Sequence, residues 1–228
     1  MASTVEPVTV TLDNGTRVSG LLQGAARARA AYVLAHGAGA GMTHPFLAAV
    51  AAELGERGIA TLRYQFPSME QGAKRPDPLP LARATVRAAV AEAARLLPGV
   101  ALIAGGKSFG ARMTSQAQAE APLAGVCGLT FLGFPLHPAG RPSDERAKHL
   151  ADVRVPMLFL QGTRDTLASV ALIEPVCATL GAGATLKLFE DADHSFHVPA
   201  RSGRTDAQVR GGMLDALAEW VDALIAAA

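Results

Sequence analysis

The sequence predicts an α/β fold in which one mostly parallel, eight-stranded sheet carries helices on both faces. Two observations point there. Short β-rich apolar runs alternate with longer stretches of helical spacing, which is how a parallel sheet with crossover helices is written. The chain is also apolar enough to bury such a sheet: half of its 228 residues are hydrophobic, 18% are charged, and mean hydropathy is +0.23. That length suits a single domain over residues 1–228.

The elements follow in order. Residues 8–12 and 17–22 flank Asp13-Asn14-Gly15, turn residues that tolerate positive φ, so the chain is expected to open with an antiparallel hairpin. Six further runs, at 31–35, 59–64, 100–104, 126–132, 155–160 and 185–189, complete eight strands. Helical spacing covers 44–57, 79–97, 109–120, 167–180 and 206–226. The last is the clearest, because Met213, Leu214, Leu217, Trp220, Val221, Leu224 and Ile225 fall on one face. Pro76, Pro78 and Pro80 form a rigid entry into the helix at 79–97. Only about 133–154 separate the sixth strand from the seventh, and 144–150 reads as a short helix, so no substantial lid is expected.

Composition removes several classes of function. Lys and Arg total 21 against 20 acidic residues, which provides neither a basic stripe for nucleic acid nor a polybasic anchor for lipid. The N-terminal MASTVEPVTV lacks the basic and apolar regions of a signal peptide, and no apolar run is long enough to span a bilayer, so a cytoplasmic protein is expected. Cys127 and Cys177 are too few for a disulfide framework or a zinc site, and nothing calls for a metal or cofactor. Oligomeric state is left open by the sequence.

In open parallel sheets, ligands bind beyond the carboxyl ends of the strands. The residues there are His36-Gly37-Ala38-Gly39-Ala40-Gly41, Gly106-Lys107-Ser108-Phe109-Gly110, Gly162-Thr163-Arg164-Asp165 and Asp191-Ala192-Asp193-His194-Ser195-Phe196-His197. A P-loop would need a glycine five positions before Gly106, where Ala101 stands. A dinucleotide fingerprint would place its third glycine at Met42. Neither phosphate motif is present.

Gly106-Lys107-Ser108-Phe109-Gly110 instead fits G-x-S-x-G between a strand and a helix, the context of a nucleophile elbow. The turn is so sharp that residues two away on either side must lack bulk. A serine hydroxyl also needs a base in reach and a third group to hold that base in the right tautomer. His194 is the leading base, with His197 as its rival; Asp165 is the leading acid, with Asp144 as an alternative. Asp191 and Asp193 stand so close to His194 that a tight turn would be needed to reach its far ring nitrogen. Arg112 and Arg164 are candidates for an acidic substrate group, although paired or solvated arginines are as common.

On these motifs, together with Gly133-Phe134-Pro135-Leu136-His137-Pro138, the chain resembles the α/β-hydrolase superfamily, and within it the small dienelactone-hydrolase-like group. Hydrolase-like domains of some testis-expressed and chromatin-complex proteins are similar to that group. The resemblance runs from about residue 8 to the C-terminus. It implies the chain order serine, acid, histidine, hence Ser108, Asp165 and His194, with an oxyanion hole of the Phe109 and Ala38 amides and Gly39 as the alternative to Ala38. Tyr64, Phe66, Phe134, His137 and Gly39 are expected to line the substrate pocket because their loops converge there. True dienelactone hydrolases carry cysteine where this chain has Ser108, so the chain departs from them at the nucleophile. The implied function is a serine esterase or thioesterase acting on a small-molecule acyl substrate. The alternatives are dienelactone-hydrolase-like or acyl-transfer chemistry at the same site, or a catalytically silent module on the same fold.

Overall fold

A computed structural model of the chain describes residues 4–24 and 27–227. The first three positions of the N-terminal segment read above lie outside the described residues. Eight strands form one sheet: β1 (Val5–Thr11), β2 (Arg17–Gln23), β3 (Ala30–Ala35), β4 (Ile59–Tyr64), β5 (Ala101–Lys107), β6 (Val126–Leu132), β7 (Met157–Gly162) and β8 (Ala184–Phe189). Their spatial order is β1-β2-β4-β3-β5-β6-β7-β8. β1 pairs antiparallel with β2, and β2 with β4; every later pairing is parallel.

The opening hairpin turns at Gly15, whose φ is 81° and whose amide donates to the Leu12 carbonyl at 2.8 Å, while Asn14 Oδ1 accepts from the amide of Thr16 at 2.9 Å. β3 is central and all six of its residues are buried. Its side chains alternate by face: Ala31, Val33 and Ala35 join one hydrophobic cluster, and Ala30, Tyr32 and Leu34 the other. Buried on both faces, the strand reads as a continuous apolar run.

Helices α1 (Pro45–Glu56) and α6 (Asp206–Ala226) cover the second face through Leu47, Val50 and Leu54 and through Val209, Met213, Leu214 and Leu217. Helices α3 (Leu79–Leu96), α4 (Phe109–Glu120) and α5 (Val170–Leu180) cover the first, and the short α2 (Pro67–Glu70) follows β4. Thr205 caps α6 in a box with Gln208, each side chain satisfying the other residue's backbone N–H. The segment expected as a short helix is a 3-10 helix at Glu145–Asp152. It is the one regular element between β6 and β7 among the described residues, so the open face of the sheet carries no lid. No helix among the described residues is long and apolar enough to cross a membrane.

Several bounds shift by up to three residues, β1 opening at Val5 and α5 at Val170, and two further differences stand out. α2 is a single turn, too short to leave a periodic signature. β5 runs three residues beyond the expected end, because Gly105, Gly106 and Lys107 pair with Thr130, Phe131 and Leu132 of β6. Glycines that punctuate the sequence there continue the strand and bring it directly to Ser108.

Candidate active site

Ser108 stands between the last residue of β5 and the first of α4 with φ 52° and ψ −109°, a region that L-residues rarely occupy. The flanking glycines are a packing requirement. A β-carbon on Gly106 would lie 2.4 Å from the carbonyl oxygen of Ala35, and one on Gly110 would lie 2.6 Å from the Ala35 β-carbon and 2.7 Å from the His36 carbonyl oxygen. The elbow is therefore wedged against the end of β3, which turns the serine side chain toward the open end of the sheet.

Three side chains meet there. Ser108 Oγ lies 2.8 Å from His194 Nε2, and His194 Nδ1 lies 2.6 Å from Asp165 Oδ2. With Nδ1–H donating to the Asp165 carboxylate, the ring turns its Nε2 lone pair to the hydroxyl, which donates to it. Asp165, 2% exposed, also accepts from the Leu167 amide at 2.7 Å and from Gln161 Nε2 at 2.5 Å. Those donors offset the cost of burying a carboxylate. Among the described residues, neither the Phe109 amide nor the Ala38 amide donates to another protein group, so both N–H groups remain free.

The rival residues have other partners. His197 Nδ1 is 2.9 Å from Asp206 Oδ2, and that carboxylate raises its pKa above the ordinary histidine value. Asp193 Oδ1 accepts from the amides of Ser195 at 2.7 Å and His197 at 3.0 Å, shaping the turn after His194. Asp144 lies at the start of the 3-10 helix and lines a separate groove with Leu172 and Val176. His36 accepts from the Phe66 amide through Nε2 at 3.0 Å and holds the Gly37 carbonyl through Nδ1 at 2.7 Å, so it orders the glycine loop. Its burial lowers its pKa, in keeping with a neutral ring.

A cavity of about 340 Å³ opens above Ser108 and His194, lined by Ala38, Gly39, Phe46, Leu47, Lys107 and Leu167 among others. Phe46 and Ser195 also border a neighbouring recess that holds His197, Asp206 and Arg210. Gly39 is part of the wall. Tyr64, Phe66, Phe134 and His137 are not, which corrects the sequence expectation: all four are at most 3% exposed. Phe66 packs edge-on to His36 and Phe109, with centroids 4.9 and 5.3 Å away, and Tyr64 packs on Phe66 at 5.5 Å. Phe134 sits among Phe131, Phe159 and His149. These rings bury large apolar areas beneath the elbow. The loop with Leu136 and His137 is tied to the cavity-lining Leu167, whose carbonyl accepts both of their amides. The apolar wall comes from Phe46 and Leu47 of α1 and from Leu167.

Sequence reasoning also missed Gln161. It is fully buried in β7, donates to Asp165 and accepts from the Phe134 amide at 2.9 Å, joining two active-site loops. Its signal was an amide side chain in the otherwise apolar run Met157–Gly162.

An open, mostly parallel sheet with a strained serine between strand and helix, a histidine on its hydroxyl and a buried carboxylate behind that histidine defines the architecture of a nucleophile-elbow protein. A family model described as an alpha/beta hydrolase domain matches residues 28–222, and the chain belongs to that family. A dienelactone hydrolase from Anabaena variabilis is 22% identical, with 97% of this chain and 96% of that one covered and a TM-score of 0.74. A lidless α/β serine hydrolase from Xanthomonas campestris is 22% identical over 96% and 95% of the two chains, with a TM-score of 0.72. The esterase domain of a Rhodothermus marinus protein is 14% identical over 95% and 97%, also at 0.72.

Proposed function

We propose that the protein is a serine-dependent hydrolase of small or accessible carboxylic esters or thioesters, with Ser108 as nucleophile, His194 as general base and Asp165 as its orienting acid. The observation that carries this reading is the unbroken line from Ser108 Oγ through the His194 ring to Asp165, at 2.8 and 2.6 Å.

Ser108 Oγ attacks the acyl carbonyl carbon while its proton passes to His194 Nε2. The C=O π electrons move onto oxygen, which the free amides of Phe109 and Ala38 are set to receive, with Gly39 as the alternative to Ala38. Collapse expels the alkoxide or thiolate, which takes the proton from His194 and leaves an ester on Ser108. Water repeats the sequence, its proton going to His194, and releases the acid. The imidazolium in each half-reaction faces the Asp165 carboxylate, which stabilises it without taking the proton.

The cavity supports the substrate class. Its wall is mainly apolar and it opens to solvent with no lid, which suits a short or exposed acyl group more than a long buried chain. The test is a panel of p-nitrophenyl esters and acyl thioesters with the wild type and Ser108→Ala, alongside labelling by a fluorophosphonate probe. Turnover and labelling should be present in the wild type, and turnover should fall by about three orders of magnitude or more in the variant at an unchanged melting temperature. Equal turnover in the two proteins would remove Ser108 from the mechanism.

A further inference from the structure

The residue before the serine occupies the position of the elbow that the motif leaves free, yet its side chain does not lie on the surface. Lys107 Nζ donates to the main-chain carbonyl of His194 and stands 5.6 Å from the centroid of the Phe196 ring. Gly133, at the end of β6, is the contact between this amine and the base. A β-carbon built on it would lie 3.0 Å from Lys107 Nζ and 3.4 Å from His194 Nδ1, so the two groups face one another across a residue with no side chain.

The charged groups facing Lys107 are Asp165, in the loop after β7, and Asp193 and His194, in the loop after β8. Neither carboxylate is hydrogen-bonded to it. Asp165 is taken up by Leu167, Gln161 and His194, and Asp193 Oδ1 by the amides of Ser195 and His197. Among the described residues, the His194 carbonyl is the hydrogen-bond acceptor of the ammonium. At the wall of the cavity the amine bonds a main-chain carbonyl rather than either nearby carboxylate, and a methionine would fill similar space without the desolvation cost. Burial accordingly pushes the Lys107 amine down to about 8, against the upward pull of Asp165 and Asp193.

We propose that Lys107 is a positioning residue for the base: it holds the His194 loop to the elbow through the His194 carbonyl and sets a positive charge beside the imidazole. The inference rests on the hydrolytic reading above. The tether fixes the ring against Ser108 Oγ, so the distance that matters for proton transfer does not depend on a mobile loop. The charge beside the ring disfavours the imidazolium relative to the neutral imidazole, which favours delivery of the proton to the leaving group.

The test uses Lys107→Met in the full chain. On a p-nitrophenyl ester, kcat should fall about 10- to 100-fold, with KM within about twofold of wild type. The melting temperature at pH 7 should hold or rise, and the acid limb of the pH–rate profile should move to higher pH. The carbon resonance of the His194 imidazole should titrate at higher pH in the variant than in the wild type, a readout that needs no substrate. Lys107→Gln, polar but uncharged, should show the same displacement and serves if the methionine variant does not fold. Wild-type kcat with an undisplaced acid limb, or a melting temperature that falls in step with kcat, would overturn the proposal. If the wild type neither turns over esters nor takes the fluorophosphonate, the hydrolytic reading fails by itself. The imidazole titration then decides on Lys107, a displacement supporting it and coincident curves overturning it.

Discussion

Gly110 and Ala35 are in such close contact that a β-carbon on the glycine would come within 2.6 Å of the alanine's own, although one residue lies in the first turn of α4 and the other ends β3. The obstacle on the β3 side is largely backbone, the carbonyl oxygens of Ala35 and His36 both lying 2.7 Å away, so it cannot be relieved by a rotamer change. Gly110→Ala should cost about 3 kcal/mol of stability, at the upper end for overpacking, and should reduce ester turnover by displacing the elbow. Urea denaturation and a turnover assay check it; a variant with wild-type stability would mean that the two elements separate freely.

Gln161 should matter to both stability and rate. Gln161→Leu keeps approximate volume but leaves the Phe134 amide without its acceptor and removes one of the two donors to Asp165 Oδ2, which keeps His194 Nδ1. The expected cost is about 2–3 kcal/mol, and turnover should fall as Asp165 loses part of its support. Comparing the urea midpoint with kcat tests this, and a neutral substitution would show that water replaces the amide.

Acid should destabilise the protein through His149. Burial and the Arg112 guanidinium push its pKa down to about 4, with Asp152 opposing, while its Nε2 lies 2.8 Å from Ser115 Oγ. A free imidazole titrates near 6.5, so the unfolded chain takes up the proton first as pH falls. The contribution is therefore complete above about 6.5 and is lost as pH falls through about 4. Allowing for solvent screening at a half-buried ring, it amounts to about 1–2 kcal/mol. Stability measured from pH 7 to 4 should decline more steeply in the wild type than in His149→Gln; parallel curves would assign the acid sensitivity elsewhere.

The docking of α6 should rest on its apolar stripe rather than on its ion pairs. Leu217 is fully buried, whereas Arg29 and Asp222 are 38% and 55% exposed in their side chains. Leu217→Ala should cost about 2–5 kcal/mol and Asp222→Asn less than about 1. Thermal melts of the two variants test the ranking, and a larger loss from Asp222→Asn would reverse it.

The order of strands and helices was legible because each element states its period locally, and the elbow because Gly106 and Gly110 report on backbone that cannot carry a β-carbon. β5 was cut short for a related reason: glycine reads as a break, and only its pairing with Thr130 and Phe131 shows that the strand continues. Ser108, Asp165 and His194 could be selected because chain order and strand ends limit which residues can meet. The cavity wall was not legible from the same loops. Proximity to a strand end does not say which way a ring turns, and Phe66 and Phe134 turned into the core where they bury the most area.

The sequence by itself determined the alternation of elements, the hairpin, the position of the sharp turn and the residues able to act there, since all of these are written in spacing of up to about five positions or in residue chemistry. Tertiary structure alone decided that Gln161 supports Asp165, that Lys107 reaches across to the His194 carbonyl, and that Phe46, Leu47 and Leu167 make the wall. Those relationships join segments from different strands and helices. Their partners are chosen by how the sheet stacks and twists, a property of the whole chain that no local pattern carries.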